Sequence, residues 1–299
     1  MLAARARSLV CALALGCRPD ASTSATPLVL PPAPPVPPPP SAGILGAREQ
    51  EFPSAIACDG ELDRVAVKQA IAALAHDAGA AQLVVTVRPG RTCTLPALPS
   101  VDAMIVAVAG SGNARGVEEA SARQLARWDA IHAPGLGVEL ATRTPGITLV
   151  LALAPTSGTL GAAIDGAAWA DRPAPLARIE LRESEELAWG EDKFRVRIGF
   201  GAPESPNLSL AILHLDADAT VPLHEHAETE VITTIDGASE TTVAGTTHEV
   251  AVGSTIAIPP KTQHGVRTTT SPVLVVQTYA PAGPEQRFRK LAADAKSPQ

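Results

Sequence analysis

The sequence predicts an all-β fold, a barrel or sandwich present in two tandem copies. Two observations carry the prediction. From residue 82 onward short apolar runs alternate with Gly, Pro, Asn and Asp, at 83–87, 104–109, 147–153, 194–200, 208–215, 231–235, 248–252, 255–258 and 273–279. Such spacing marks strands joined by turns. The chain also repeats weakly at a shift of 126, which lays 94–111 on 220–237 and 133–155 on 259–281. Within the second window Pro134, Thr142, Thr144, Val150, Ala154 and Pro155 match Pro260, Thr268, Thr270, Val276, Ala280 and Pro281. Repetition of this kind reads as two copies of one unit.

The elements follow in chain order. Residues 1–17 look like an export signal: Arg5 and Arg7 precede a short apolar run from Ser8 to Gly16. That run falls far below the roughly 20 residues that span a bilayer. Leu13-Ala14-Leu15-Gly16-Cys17 resembles a bacterial lipoprotein signal, in which Cys17 would carry the lipid. An ordinary secretory signal is the alternative. Residues 18–49 form a Pro-rich linker whose run from Pro31 to Pro40 cannot pack a core; it reads as a stiff polyproline II stalk. The chain is therefore expected in the periplasm or outer envelope, tethered by a lipid.

Residues 61–78 read as a helix, with Leu62, Val65, Ile71 and Leu74 near a 3.6-residue period and Gly79 at its end. The stretch 114–127 is compatible with a second helix. Cys11 lies in the signal, which leaves Cys58 and Cys93, and an exported chain permits them to pair as a disulfide or to stay as two thiols. The repeat divides the folded part into 50–174 and 175–291, with a disordered tail at 292–299.

Of the 299 residues 45% are apolar but only 3% aromatic, so the core must be Ala, Val, Leu and Ile. The net charge of −7 comes without a basic stripe, which argues against nucleic acid as a partner. A GxSxG elbow and a phosphate-cradling Gly loop are both missing from the sequence. The expected partner is a small organic ligand, and a homodimer is compatible with the sequence.

The chemistry concentrates in Pro222-Leu223-His224-Glu225-His226-Ala227-Glu228-Thr229-Glu230. Residues two apart in a strand share a face, so His224 and His226 can aim at one point, with Glu230 a further even step away. The segment Gly253 to His264 offers a third imidazole from another strand. Three neutral imidazoles and a carboxylate suit Mn, Fe, Co, Ni, Cu or Zn. Gln277 and Tyr279 share a face of the last strand and are pocket candidates. His214, His248, Glu225 and Glu228 read as surface or supporting positions.

Here the sequence resembles the cupin superfamily. Its first motif appears as His224-x-His226, three residues, Glu230, six residues, Gly237; its second as Gly253, five residues, Pro259-x-Lys261, two residues, His264. Asp218, Lys261 and Thr268 replace the family's Gly, Gly and Asn. The resemblance implies a jelly-roll β-barrel with one divalent metal held by His224, His226, Glu230 and His264. Under the 126-residue shift these ligands fall on Leu98, Ser100, Met104 and Val138, so the first copy would be a degenerate barrel without metal ligands. The resemblance favours a dioxygenase-like enzyme, with an isomerase or lyase using the same ion differently. A non-catalytic module that binds or senses a small molecule or metal is the alternative from another class. A metal that only braces the barrel ranks last.

Overall fold

The structure is a computed structural model that describes residues 52, 55–74, 79–166 and 175–296. The export signal with Cys17, the linker 18–49 and residues 297–299 lie outside the described residues.

The first half comprises β1 (Ile56–Cys58), β2 (Gly60–Glu61), α1 (Arg64–Leu74), β3 (Ala81–Val87), β4 (Thr92–Ala97), β5 (Val101–Gly116), β6 (Arg123–Ala126), β7 (Asp129–His132), β8 (Leu136–Pro155), α2 (Leu160–Ile164) and β9 (Ala177–Glu180). One sheet holds all nine strands, in the order β1-β3-β8-β5-β7-β9, with β4 on β2 and β8 and β6 on β5. The second half comprises β10 (Glu186–Trp189), β11 (Phe194–Phe200), β12 (Leu210–Leu215), β13 (Thr220–His224), β14 (Thr229–Asp236), β15 (Ala238–Val243), β16 (Thr246–Ala251), β17 (Thr255–Ile258), β18 (His264–Thr268), β19 (Val273–Ala280) and α3 (Gln286–Lys296). Its strands form a six-stranded sheet, β10-β11-β12-β19-β14-β17, and a four-stranded sheet, β13-β18-β15-β16. The fold is all-β, a pair of jelly-roll barrels, as the alternation of strands and turns predicts.

The halves pack sheet against sheet. On β5, Ala103, Ile105 and Ala107 enter the core of the first barrel. The alternate residues Met104, Val106 and Val108 instead pack with Leu210, Ile212, Val231 and Val276 of the second half. Both faces of β5 are thus buried, which is why it reads as a continuous apolar run rather than an alternating one. Gln82 lies within this interface, fully buried. Its amide nitrogen donates to Val231 O (3.1 Å) and Thr278 Oγ1 (3.1 Å), and its oxygen accepts from Thr233 Oγ1. Replacing Gln82 with Leu is expected to lower stability by about 1–2 kcal/mol. The cost is modest because Thr233 keeps Thr255 as a partner. Urea unfolding would measure it, and an unchanged midpoint would mean this network contributes nothing.

A second polar clasp joins the halves at the end of the sheets. Asp102 on β5 accepts from His132 Nε2 (2.7 Å), from Ser205 Oγ and from Asn207 Nδ2 (3.5 Å). Burial pushes the Asp102 carboxyl up, but the hydrogen bonds from His132 and Ser205 and the charge on His132 outweigh it, so the group sits below the usual carboxylate range. A lowered folded-state value gives stability that is present above the unfolded value of about 3.9 and lost as pH falls through the folded value. The stability gap between the wild type and Asp102→Asn is therefore expected to shrink below about pH 4. Urea midpoints at neutral and acid pH would show it, and a gap independent of pH would contradict it.

Several expectations need correction. Residues 114–127 are not a helix but the end of β5, a turn and β6, paired from Ser111↔Ala126 to Ala114↔Arg123. Across the strands Arg115 reaches Glu139 at 2.9 Å. Helix α1 begins at Arg64 rather than at residue 61, started by Asp63, whose Oδ1 accepts from Ala66 N at 2.7 Å; residues 75–78 of the expected helix lie outside the described residues. The boundary at 174 falls too early, because β9 pairs with β7 (Asp129↔Glu180) and belongs to the first sheet. Residues 292–296, expected in a disordered tail, extend α3, held by the buried Phe288 and Ala292.

The shift of 126 holds for β8 against β18 and β19 and slips on the other strands. Strands β18 and β19 follow β8 at a shift of 126, so Val138 lies where His264 does. On β14, however, the shift from β5 is 127: the register breaks at Ala107/Ala109 in one half and at Thr234/Asp236 in the other. Gly110 and Gly237 mark the same bend. Both take positive φ (+71° and +76°), and an added Cβ would strike Gly146 O at 2.1 Å and Pro272 O at 2.0 Å respectively. Glu230 thus corresponds to Ala103, not Met104, and His224, opposite His264 as Leu95 is opposite Val138, corresponds to Leu95, not Leu98. The gapless alignment fails because a one-residue slip turns a side chain to the opposite face of the sheet.

Candidate metal centre

Strands β13 and β18 pair His224 directly opposite His264. The chain then loops through His226 and enters β14 at Thr229, where Glu230, Ile232 and Thr234 face the interior while Val231 faces the other barrel. Three imidazoles and a carboxylate, from three strands and the loop between β13 and β14, therefore meet inside the second barrel. The nearest ring nitrogens of His224, His226 and His264 lie within 4.8 Å of one another, and among the described residues no other cluster of this kind is present.

Each ring is oriented by a backbone carbonyl. His224 Nδ1 lies 2.9 Å from Pro222 O, His226 Nδ1 2.9 Å from Glu228 O, and His264 Nδ1 2.8 Å from Thr262 O. A carbonyl only accepts, so Nδ1 carries the hydrogen and Nε2 is left with its lone pair. The lone pairs of His226 and His264 then face the same atom, Glu230 Oε2, at 2.9 Å each. His264 Nε2 is buried without a hydrogen-bond partner despite that proximity. Lone pairs aimed at a buried carboxylate repel unless a cation lies between them, so the donor set fits a divalent transition metal. A proton on that nitrogen serves the same end: burial lowers the His264 pKa, yet the adjacent Glu230 carboxylate raises it overall. Burial likewise pushes Glu230 up, and His226 and His264 pull it far below the usual carboxylate range.

The surroundings hold these groups in place. Gln277 Nε2 donates to Glu230 Oε1, while Gln277 Oε1 is buried without a partner. Tyr279 is buried against His226, ring centroids 5.3 Å apart, and burial keeps its hydroxyl protonated well above the usual range. Arg287 on α3 donates to that hydroxyl at 2.9 Å. Asp218 and Lys261, which stand where the cupin pattern has glycine, both adopt left-handed backbone (φ +56° and +57°). The tight turns are thus kept without glycine, at a cost in backbone energy. Lys261 N donates to His226 O at 2.7 Å, which ties one motif to the other. Thr268, in place of Asn, receives Ala219 N at 2.8 Å and donates to Asp216 O.

A cavity of about 410 Å³ extends from the cluster into the barrel, within the range of small-molecule sites. Leu213, Ile232, Val250, Ile256, Val266 and Val275 form much of its wall, and Gln277 reaches it. Trp189, Phe194, Arg287, Phe288 and Leu291 also line it. Sequence reasoning missed these five, because they come from β10, β11 and the helix that was read as a barrel end and tail. The Trp189–Phe288 stack, 5.5 Å between centroids, fixes α3 over the opening. His214 stays outside, beside Arg195 and Asp216, and Glu225 is exposed. Cys58 and Cys93 are bonded to each other and buried, remote from the cluster in sequence and in the first barrel.

Residues 211–279 match the family model of the cupin domain. Over these residues the second barrel is similar to a cupin domain. The likeness in fold covers both halves, and the solved structures similar to this chain include oxalate decarboxylases. One from Bacillus subtilis aligns with a TM-score of 0.55 at 15% identity, over 69% of this chain and 70% of that one. A second oxalate decarboxylase, studied for its substrate binding mode, aligns with a TM-score of 0.54 at 14% identity over 71% and 72%. A third, solved to assign the Mn(II) centres of the Bacillus subtilis enzyme, gives 0.53 at 15% identity over 69% and 70%. Identities this low establish the shared cupin fold and not a shared reaction. No curated protein matches the chain in sequence.

Proposed function

We propose that this chain is a metal-dependent cupin enzyme, dioxygenase-like, that acts on a small organic molecule beside a single ion held by His224, His226, Glu230 and His264. The observation that carries the reading is the convergence of buried Nε2 lone pairs and a carboxylate at the wall of a 410 Å³ cavity. Four protein ligands leave room in an octahedral shell for water or substrate. When bound, the ion supplies Lewis-acid or redox chemistry to a molecule beside it. The chain does the rest: carbonyls fix the tautomers, Gln277 orients Glu230, and the apolar wall excludes water. Manganese, iron, nickel, copper, cobalt and zinc all suit these donors, and the Mn(II) centres of the Bacillus subtilis neighbour favour manganese. An isomerase or lyase would use the same site.

In this reading the first barrel is a degenerate copy. Leu95, Ala103 and Val138 stand where His224, Glu230 and His264 stand, all buried in an apolar core. The sequence of 1–49 supports export, with Cys17 as lipid anchor and the Pro-rich stalk holding the barrels off the membrane.

A non-catalytic binding or sensing module is the second reading. It is favoured by the sparse polar groups of the cavity wall, where apart from the ligands only Thr, Ser, Gln and Arg side chains add polarity. Oxygen uptake and product analysis with manganese- or iron-loaded protein and a panel of small organic acids separate the two. Turnover that disappears in His264→Ala supports the enzyme; saturable binding without turnover supports the module.

A further inference from the structure

We infer that the second barrel selects an amphipathic carboxylate: an apolar body fills the barrel and Arg287 receives the carboxylate at the mouth, beside the histidines. The inference rests on the cavity and helix α3, and it deepens the enzyme reading above by naming the substrate class.

Three observations carry it. The cavity is too large and too apolar for a small dianion. Its wall is built from branched aliphatic residues such as Leu213, Ile256 and Val275, closed by the Trp189, Phe194 and Phe288 rings and by Leu291. Burying a small, doubly charged molecule among these side chains would strip its hydration with little in return. An aliphatic or aromatic body gains from the same wall.

The second observation is the state of Arg287. Its guanidinium is half-buried at the cavity edge, and no carboxylate among the described residues pairs with it. It donates to Tyr279 Oη at 2.9 Å and reaches His224 Nε2 at 3.4 Å. Both are neutral acceptors, and one of them is a nitrogen whose lone pair also serves metal binding. A guanidinium carries five N–H donors in a planar fork suited to a carboxylate. Both contacts are made by one terminal nitrogen, and the guanidinium's approach to the Tyr279 and Phe288 rings (5.7 and 5.4 Å to the centroids) brings no acceptor oxygen to the other N–H groups, so most of that capacity is unused.

The third is placement. Arg287, Phe288 and Leu291 sit on one helix over the opening, so one element supplies both the cation and part of the apolar wall. Arg287 lies next to His224, and a carboxylate held there is adjacent to the cluster while its body points into the barrel. This arrangement discriminates in both directions. Neutral apolar molecules lose the charge-assisted bond, and short dianions lose the burial.

The test is calorimetric titration of the full chain, chelator-treated and manganese-loaded, with octanoate, 1-octanol and oxalate, using wild type, Arg287→Gln and Leu291→Asp. Octanoate is expected to bind at least about tenfold more tightly than 1-octanol or oxalate. Arg287→Gln should abolish the octanoate preference while 1-octanol binds as before. Leu291→Asp, on a partly exposed position of α3, should weaken octanoate and 1-octanol alike. Oxalate binding as tightly as octanoate, or a preference that survives Arg287→Gln, would overturn the inference. Arg287-dependent octanoate binding by a protein that takes up no manganese would uphold it and overturn the metal reading instead. Manganese uptake with no octanoate binding would overturn this inference alone.

Discussion

Replacing Cys58 and Cys93 with Ala is expected to lower the free energy of unfolding by about 3–4 kcal/mol. The bond joins residues 35 apart in sequence, and a cross-link of that loop length removes much of the freedom of the unfolded chain. The native side adds to the effect. The bond anchors β1, three residues long and paired only to β3, at the edge of the sheet, and connects it to β4. Alanine fills the buried sites without introducing a polar group, so the change reports the cross-link rather than a buried hydroxyl. Guanidinium unfolding of the oxidised wild type beside the double variant measures the difference. Equal midpoints would mean that the bond does not constrain the unfolded chain.

The second large effect concerns a residue that touches no metal. Gln277 donates to Glu230 Oε1 from β19 and leaves Glu230 Oε2 facing His226 and His264. Substituting Leu removes the group that orients the carboxylate, and loss of such support lowers metal affinity by about 10–100-fold. The change removes Gln277 Oε1, a buried acceptor without a partner, but leaves Glu230 Oε1 without its donor, so the metal-free protein is expected to lose about 1–3 kcal/mol of stability. Competition against a chelating dye gives the affinity, and thermal unfolding of the metal-free protein serves as the control. Unchanged affinity would show that the backbone alone positions Glu230.

The site was more legible in the sequence than its setting. His224, His226, Glu230 and His264 could be read together because a strand repeats every two residues and the spacing of the two motifs is local. Gln277 and Tyr279 were reachable by the same parity argument on β19. Arg287 was not. It belongs to a helix after the last strand, and its relevance depends on where that helix lies against β10, a contact that leaves no trace in local spacing. The repeat shows a different limit. Identities at a shift of 126 located the two barrels, but β14 runs one residue out of step with β5. Counting identities cannot detect that slip. Burial can, because Met104 faces the other barrel whereas Glu230 faces its own interior. The hairpin at 114–127 is illegible for a related reason: its pairing of Ser111–Ala114 with Arg123–Ala126 depends on the partner strand and not on local spacing.

The central claim is that the second barrel holds one divalent ion through His224, His226, Glu230 and His264. Elemental analysis of the full chain, purified without chelator or immobilised metal and compared with a His226→Ala, His264→Ala double variant, tests it most directly. The account predicts about one transition-metal ion per wild-type chain and none in a double variant that still folds. A folded wild type that carries no ion and takes up none from added manganese, iron or zinc would contradict it.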